Sequence, residues 1–248
     1  MIKCLQAESS PGDVIILHAA AHNPTGLDPT KDQWKGVADL CVQLQLFPLF
    51  DSAYQGFASG NLLEDGWAMK HFLGREGLEM GIAQSFSKNF GLYGERVGAL
   101  HIKSNSTEIG HDIGNLLERL ARSEITCPPL YGARIVAQVL NDPKLFAEWE
   151  RDLVTMSVRI ARMRREFYQR LVELETPGHW EHIISQIGMF SYMGLTREQV
   201  IVLREEFHIY LLDTGRVAIT GLTMENVDYV AQSIDTVVRR VTNVNNSA

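Results

Sequence analysis

Cysteine is scarce in this chain of 248 residues: there are three, Cys4, Cys41 and Cys127, widely spaced and odd in number. That spacing excludes a disulfide framework and shows no metal-ligand pattern, which fits a reducing compartment. Positive charge is also short. Lys and Arg total 23 against 30 Asp and Glu, for a formal net charge of −7, and this argues against general binding to nucleic acid or to anionic membranes. No apolar run approaches the roughly 20 residues of a membrane-spanning helix. No secretory signal or arginine-rich presequence opens the chain, and internal repeats are lacking. The expectation is a cytoplasmic protein with neither nucleic acid nor membrane as partner. Apolar residues make up 45% of the chain, enough to bury a core as one large domain or two smaller ones.

Four apolar runs, at 14–17, 46–50, 81–86 and 97–102, read as strands buried on both faces. Between the first two, Thr30 and Gln33 form a capping box, and Trp34, Val37, Ala38, Cys41 and Val42 make one helical stripe. Strands alternating with such helices imply a parallel sheet with crossover connections. A helix is expected at about 106–121, with Ile109, Ile113, Leu116, Leu117 and Leu120 on one face, and another through Ala133 and Val139 after Pro128-Pro129. Asp142 caps the longest helical pattern, which runs from Pro143 to the Thr176-Pro177-Gly178 break. Beyond it lie strand-like pieces near 187–193 and 209–219 and a capped helix from Thr196 to Phe207. A last helix follows, with Val227, Val230, Ala231, Ile234, Val238 and Val241 in line, and then a tail from Asn243 to Ala248. A boundary within the long helix gives a large domain at 1–153 and a smaller α/β domain at 154–248.

Three of the strand-like runs deliver polar residues at their carboxyl ends, where open α/β sheets bind ligands. The first leads to His22-Asn23-Pro24-Thr25-Gly26 and the second to Asp51-Ser52-Ala53-Tyr54-Gln55-Gly56. The third leads to Ser85-Phe86-Ser87-Lys88-Asn89-Phe90-Gly91. A lysine is ordinarily a solvated surface charge, but the flanks of Lys88 hold no other charge until Glu95 and Arg96. An amine on a rigid turn, with an arginine close by, suits covalent chemistry on a phosphorylated cofactor. From the residues alone, Asp51 also reads as a strand-end carboxylate, Asn23 as a turn residue, Tyr54 as core and Arg96 as a surface charge.

These segments recur, with Gly132-Ala133-Arg134-Ile135-Val136, Gln186-Ile187-Gly188-Met189-Phe190, Ile209 to Leu212 and Gly215-Arg216, in one order and spacing. In that arrangement the chain closely resembles the aspartate aminotransferases, fold-type I enzymes, across essentially its whole length. The resemblance implies an α/β fold: a large-domain parallel or mixed sheet with crossover helices, incomplete at the N-terminus, and a smaller α/β C-terminal domain. It implies pyridoxal 5′-phosphate as cofactor, a homodimer, and amino-group transfer between L-aspartate and 2-oxoglutarate, with dicarboxylic amino acids and 2-oxo acids as substrates. By resemblance Lys88 is the Schiff-base lysine and proton shuttle. Asp51 is buried against the pyridinium nitrogen, and Tyr54 and Asn23 bond the phenolic oxygen. Arg96, Ser85 and Ser87 hold the phosphate. Arg216 grips the substrate α-carboxylate with Phe190 nearby, and Arg122 reaches the distal carboxylate across the dimer. The residues by themselves also allow Arg122 as a helix-end arginine on orphan carbonyls and Phe190 as a core aromatic. Cys127 stands before Pro128-Pro129 where the family commonly has asparagine.

The resemblance begins partway through the family's pattern. The portion without a counterpart carries, in the family, a dimer-clasping arm, early strands, a Gly-Thr turn on the phosphate, a stacking aromatic and a tyrosine for the neighbouring subunit. Impaired transamination by this chain is therefore expected. Two other readings stay open: a non-catalytic remnant that associates with a partner or full-length relative, and an aromatic-amino-acid transaminase of the same fold. Three short patterns lead nowhere. Ser85 to Lys88 fits Ser-x-x-Lys without its companion motifs, Asp213-Thr214-Gly215 occurs once, and His179 and His182 lack a third ligand.

Overall fold

In the computed structural model, residues 1–245 are described, with side chains through residue 240. The backbone packs as two units, residues 1–20 with 29–154, and residues 21–28 with 155–248.

The first unit opens with α1 (Ile2–Glu8) and β1 (Val14–His18). Next comes α2 (Lys31–Gln43), started by the Thr30–Gln33 capping box in both directions. It continues through β2 (Phe47–Ser52), α3 (Leu62–Asp65), α4 (Trp67–Leu73), β3 (Met80–Ser85) and β4 (Gly98–Lys103). The sheet order is β1-β2-β3-β4, with β1, β2 and β3 parallel and β4 antiparallel to β3. No crossover helix joins β3 to β4, so the chain reverses through the loop at 86–97, and the sheet is mixed.

Pairing aligns Leu17 with Phe50 and Phe50 with Ile82. Side chains alternate across a strand, so these three share a face, and they pack with Trp34, Val37 and Cys41 of α2 and Phe72 of α4. Phe50 and Phe72 meet edge to face at 5.0 Å with both fully buried, each contributing about 1.5–3 kcal/mol relative to exposure. The opposite face differs from expectation. Val14, Ile16, Asp51, Ala83 and Leu100 are exposed there, because α2 and α4 pack on the Phe50 side. The apolar runs are thus buried on one face rather than two. Two more helices follow, α5 (Thr107–Glu124) and α6 (Tyr131–Asn141). No residue of α5 is buried, although Ile109, Leu116, Leu117 and Leu120 make an apolar stripe.

The long helix α7 (Pro143–Glu173) starts in the first unit and ends in the second. Asp142 Oδ1 accepts from the backbone amides of Lys144 and Leu145, as an N-cap should. The second unit then has α8 (His182–Ser185), β5 (Phe190–Tyr192), α9 (Arg197–Phe207), β6 (Arg216–Ala218), a 3-10 turn at Ile219–Gly221, and α10 (Val227–Asn245). Its core holds Ile160, Met163, Phe167, Leu171, Ile183, Leu203, Ile219 and Ile234, all buried. The expected strands near 187–193 and 209–219 shrink to the antiparallel pair β5–β6. The tail expected from Asn243 begins inside α10; residues 246–248 and the Val241 side chain lie outside the described residues.

Residues 21–28 fall in the first domain on the sequence reading, yet they pack with the second unit. The Ile187 amide donates to the Gly26 carbonyl at 2.8 Å. A Cβ on Gly188 would lie 2.5 Å from Ala21 Cβ, and one on Gly26 would lie 2.8 Å from Ile187 O. Both glycines have positive φ, so close approach and backbone conformation together require them.

Candidate active site

In the first unit the candidate residues sit where β2 and β3 end. Asp51 lies between His18 and Ala83 in register, on the open face of the sheet, with its carbonyl accepting from the Ala19 amide at 2.9 Å. Its side chain is exposed rather than buried. Tyr54 is buried, and Lys88 Nζ lies 5.1 Å from the centroid of its ring, within the range of a cation–π contact. Asn89, next to Lys88 and itself buried, donates through Nδ2 to the Gln55 carbonyl at 3.4 Å. The Tyr54 and Lys88 turns are thereby joined.

The turn carrying Lys88 is closed by its own backbone, Gly91 N donating to Lys88 O at 3.1 Å and Phe86 N to Val97 O at 3.1 Å. Trp149 of α7 pins it from outside. Its indole Nε1 donates to the Asn89 carbonyl at 2.7 Å, and its ring stacks on Phe90 at 4.6 Å. Ser87 is buried and its amide donates to Ser85 Oγ at 3.2 Å. Arg96 is exposed with φ of +51°, and its Nη1 donates to the Tyr93 carbonyl at 3.3 Å. Among the described residues it makes no hydrogen bond to Ser85 or Ser87. Arg122 is exposed as well. It donates to the Thr126 carbonyl at 3.2 Å, just past the end of α5, the helix-end arrangement open from sequence.

The second unit gathers the other three. Arg216 Nη1 donates to Asn23 Oδ1 at 2.9 Å, and the Arg216 guanidinium carbon lies 4.6 Å from the centroid of the Phe190 ring. The antiparallel pairing places Tyr192 opposite Arg216 and Phe190 opposite Ala218, so ring and guanidinium are diagonal neighbours on one face. Asn23 stands on a turn fixed by Asp28, whose two carboxylate oxygens accept from the Ala21 and His22 amides at 2.7 and 2.8 Å. His22 Nδ1 and Thr25 Oγ1 are 2.7 Å apart, and the Asn23–Pro24 peptide is cis.

Several supporting residues escaped the sequence reading. Asp65 is buried and accepts from the amides of Gly56, Ala58 and Ser59 and from Ser59 Oγ, at 2.6 to 3.1 Å. It staples the turn after Tyr54, though in sequence it is one more acid in the first turn of a short helix. Trp149 lies inside the long helical pattern that begins at Pro143, where nothing in the sequence marks it off. Arg164 is buried with no carboxylate partner among the described residues, and burial pushes its guanidinium pKa down to about 10.

Comparison with known proteins bears on this arrangement. A family model for class I and II aminotransferases matches residues 2–234. A relative named cytoplasmic aspartate aminotransferase, from Gallus gallus, is 50% identical over 228 residues, covering 92% of this chain and 55% of that protein. The solved mitochondrial aspartate aminotransferase of Trypanosoma brucei superposes with a TM-score of 0.92 at 46% identity, over 96% of this chain and 62% of that one. The aromatic-amino-acid aminotransferase of Burkholderia pseudomallei, solved covalently bound to pyridoxal phosphate, gives 0.92 at 40% identity, over 96% and 59%. The chain thus spans little more than half the length of these relatives. Among the described residues, no helix is long and apolar enough to cross a membrane, and no group of His, Cys, Asp and Glu is arranged to hold a metal ion.

Proposed function

The chain belongs to the class I and II aminotransferase family, and on that premise we propose that it carries the chemistry of an aspartate aminotransferase. The reaction is transfer of an amino group between L-aspartate and 2-oxoglutarate with pyridoxal 5′-phosphate. The observation that carries this reading is the Lys88 amine held over the buried Tyr54 ring, on a turn fixed by Asn89 and Trp149. A homodimer belongs to the same reading, as does a cytoplasmic location, which the name of the Gallus gallus relative carries.

The donor set fits the cofactor. Lys88 offers an amine for its aldehyde, Asp51 a carboxylate for its ring nitrogen, and Tyr54 and Asn23 polar atoms for its phenolic oxygen. Ser85, Ser87 and Arg96 offer two hydroxyls and a guanidinium for its phosphate. When bound, pyridoxal 5′-phosphate supplies an electron-withdrawing ring that accepts density from the substrate α-carbon. With the cofactor bound, Asp51 would place a negative charge beside the ring nitrogen and so favour its protonated form. The Lys88 amine would then carry the proton from the substrate α-carbon to the cofactor's aldehyde carbon, acting as base and then as acid. Arg216 would hold the α-carboxylate as a bidentate partner, and Arg122 of the partner subunit would hold the distal carboxylate.

An aromatic-substrate reading has its own support, since a relative 40% identical acts, by its name, on aromatic amino acids. One experiment addresses both. The chain is incubated with pyridoxal 5′-phosphate, reduced with borohydride and mapped by peptide. The pyridoxyl label is expected on Lys88, and prior addition of aspartate is expected to lower it more than tyrosine does. Label scattered over surface lysines would sink the reading, and stronger protection by tyrosine would favour the aromatic one.

A further inference from the structure

Arg164 sits on the buried face of α7, four residues after Ile160 and three before Phe167, only 4% exposed. Among the described residues it has no carboxylate partner. Its Nη1 donates to the Ile183 carbonyl at 2.8 Å, and its Nη2 donates to the Gly188 carbonyl at 3.0 Å and to the Phe190 carbonyl. Its Nε is buried without a hydrogen-bond partner. A charged group kept in a core on neutral acceptors alone is costly, and an apolar residue there would leave three carbonyls to be satisfied otherwise. The three carbonyls are informative. Ile183 lies on α8, Gly188 in the turn against Ala21, and Phe190 at the start of β5.

Two of them, those of Gly188 and Phe190, fix different supports of one cluster. The Phe190 carbonyl sets the backbone from which the ring covers the Arg216 guanidinium. Gly188 packs on Ala21, and Ile187 N bonds Gly26 O, so the 183–190 segment also holds the turn that bears Asn23. Asn23 Oδ1 in turn accepts from Arg216 Nη1. Gln186 braces the same segment. Its Oε1 accepts from Ser191 Oγ at 2.5 Å and Tyr192 N at 3.0 Å. We propose that Arg164 is a positioning residue for Arg216: its planar fork locks the segment 183–190, and through Phe190 and the Asn23 turn it fixes the direction in which the Arg216 guanidinium meets a carboxylate. A lysine cannot reproduce this, because its three donors leave one freely rotating nitrogen, whereas the guanidinium holds Ile183 on Nη1 and Gly188 and Phe190 on Nη2 in one rigid plane. The inference rests on the reading of Arg216 as a carboxylate-binding residue.

The test uses the 248-residue chain, labelled with 15N at arginine, and its Arg164→Lys and Arg164→Gln variants. One readout is the Nε–Hε resonance of Arg216, assigned by its loss in Arg216→Lys and displaced from an ordinary arginine by the nearby Phe190 ring. The other is affinity for succinate, a plain dicarboxylate. If Arg164 positions Arg216, a folded Arg164→Lys chain shows the resonance moved back toward the ordinary value and succinate bound roughly tenfold more weakly. A merely structural Arg164 would lower the unfolding temperature and leave both readouts in place. A folded variant of either kind with the wild-type resonance and affinity overturns the inference. The Arg216→Lys arm keeps the two ideas apart. Unchanged succinate affinity there, or none in the wild type, removes the carboxylate reading, and Arg164 is then judged on the resonance alone. If neither Arg164 variant folds, warming the wild-type chain below its unfolding midpoint decides. Loss of the ring-displaced shift in step with faster exchange of the Arg164 Nη protons supports the inference, and a shift that outlasts that exchange overturns it.

Discussion

Arg164 and His71 are both placed where their charge is disfavoured, and they differ in what compensates. Arg164 stays cationic at neutral pH even with its pKa lowered to about 10, because three carbonyls solvate it. His71 has no such help. Its ring stacks on Trp67 at 5.0 Å, nearly parallel, and its Nε2 is buried without a hydrogen-bond partner. Burial lowers its pKa below the ordinary 6.5, with Arg75 and Lys35 pushing the same way and Asp39 opposing. The folded chain therefore binds fewer protons here than the unfolded one. The contribution of His71 is fully present above the ordinary value and is lost as pH falls through the lower folded value. Urea midpoints should fall between pH 7.5 and 5.5, and His71→Phe, which keeps a ring against Trp67, should flatten that slope. Parallel slopes for the two chains would show that the acid sensitivity lies elsewhere.

At this scale the sequence was informative only where chemistry is unusual in its surroundings. Lys88 stood out because its flanks lack charge, and it is the residue the fold places over Tyr54. Arg164 did not stand out, since it sits within Arg159, Arg162, Arg164 and Arg165, a run that looks like one solvated helix face. Its spacing from Ile160 and Phe167 held the signal: a cation on the core stripe needs acceptors from elsewhere in the chain, and those come from residues 183–190. Asp65 and Asp28 were silent for a similar reason. Each bonds backbone amides whose approach depends on a turn that composition does not reveal.

Among the elements, α7 connects the candidate residues to the core. Its first turns hold Trp149 against the Lys88 turn and Leu153, almost fully buried, against Gly56 in the turn after Tyr54. Gly56 has φ of +96°, and an added Cβ would lie 2.9 Å from Leu153 Cδ1. Gly56→Ala therefore meets both a disfavoured backbone and a packed helix, and it should cost about 1–3 kcal/mol in denaturant unfolding. Because Asn89 bonds Gln55 O beside it, the emission of Trp149 should shift in the same variant. An unchanged midpoint would mean that α7 yields easily at this point. The capped helices were legible because a capping box is local: Thr30 with Gln33 and Thr196 with Gln199 both form as the spacing requires. The direction of β4 and the packing of residues 21–28 were not, since both depend on pairings and close approaches between distant residues.

For the molecule as a whole, the decisive feature is apolar surface left uncovered. The sheet ends in β1 on one side and β4 on the other, and each has one unpaired edge among the described residues. Ile16 is 70% exposed, and the α5 stripe adds Leu116 at 54% and Leu120 at 49%. Unpaired edges offer hydrogen bonds to any extended chain, and contiguous apolar patches of more than a few hundred Å² mark association sites. The pattern of α5 reads in sequence as a helix with one apolar face; the helix forms, but no residue on that face is buried among the described residues. The isolated chain should therefore self-associate with rising concentration, seen as a growing sedimentation coefficient. Leu116→Lys with Leu120→Lys should reduce that association while changing folding stability by less than about 0.5 kcal/mol per site, as exposed substitutions do. If α5 is the contact, the double variant becomes monomeric; if the sheet edges are, it remains associated and Ile16→Lys on β1 has the larger effect. A wild-type chain that stays monomeric at high concentration would show that neither surface binds a second copy.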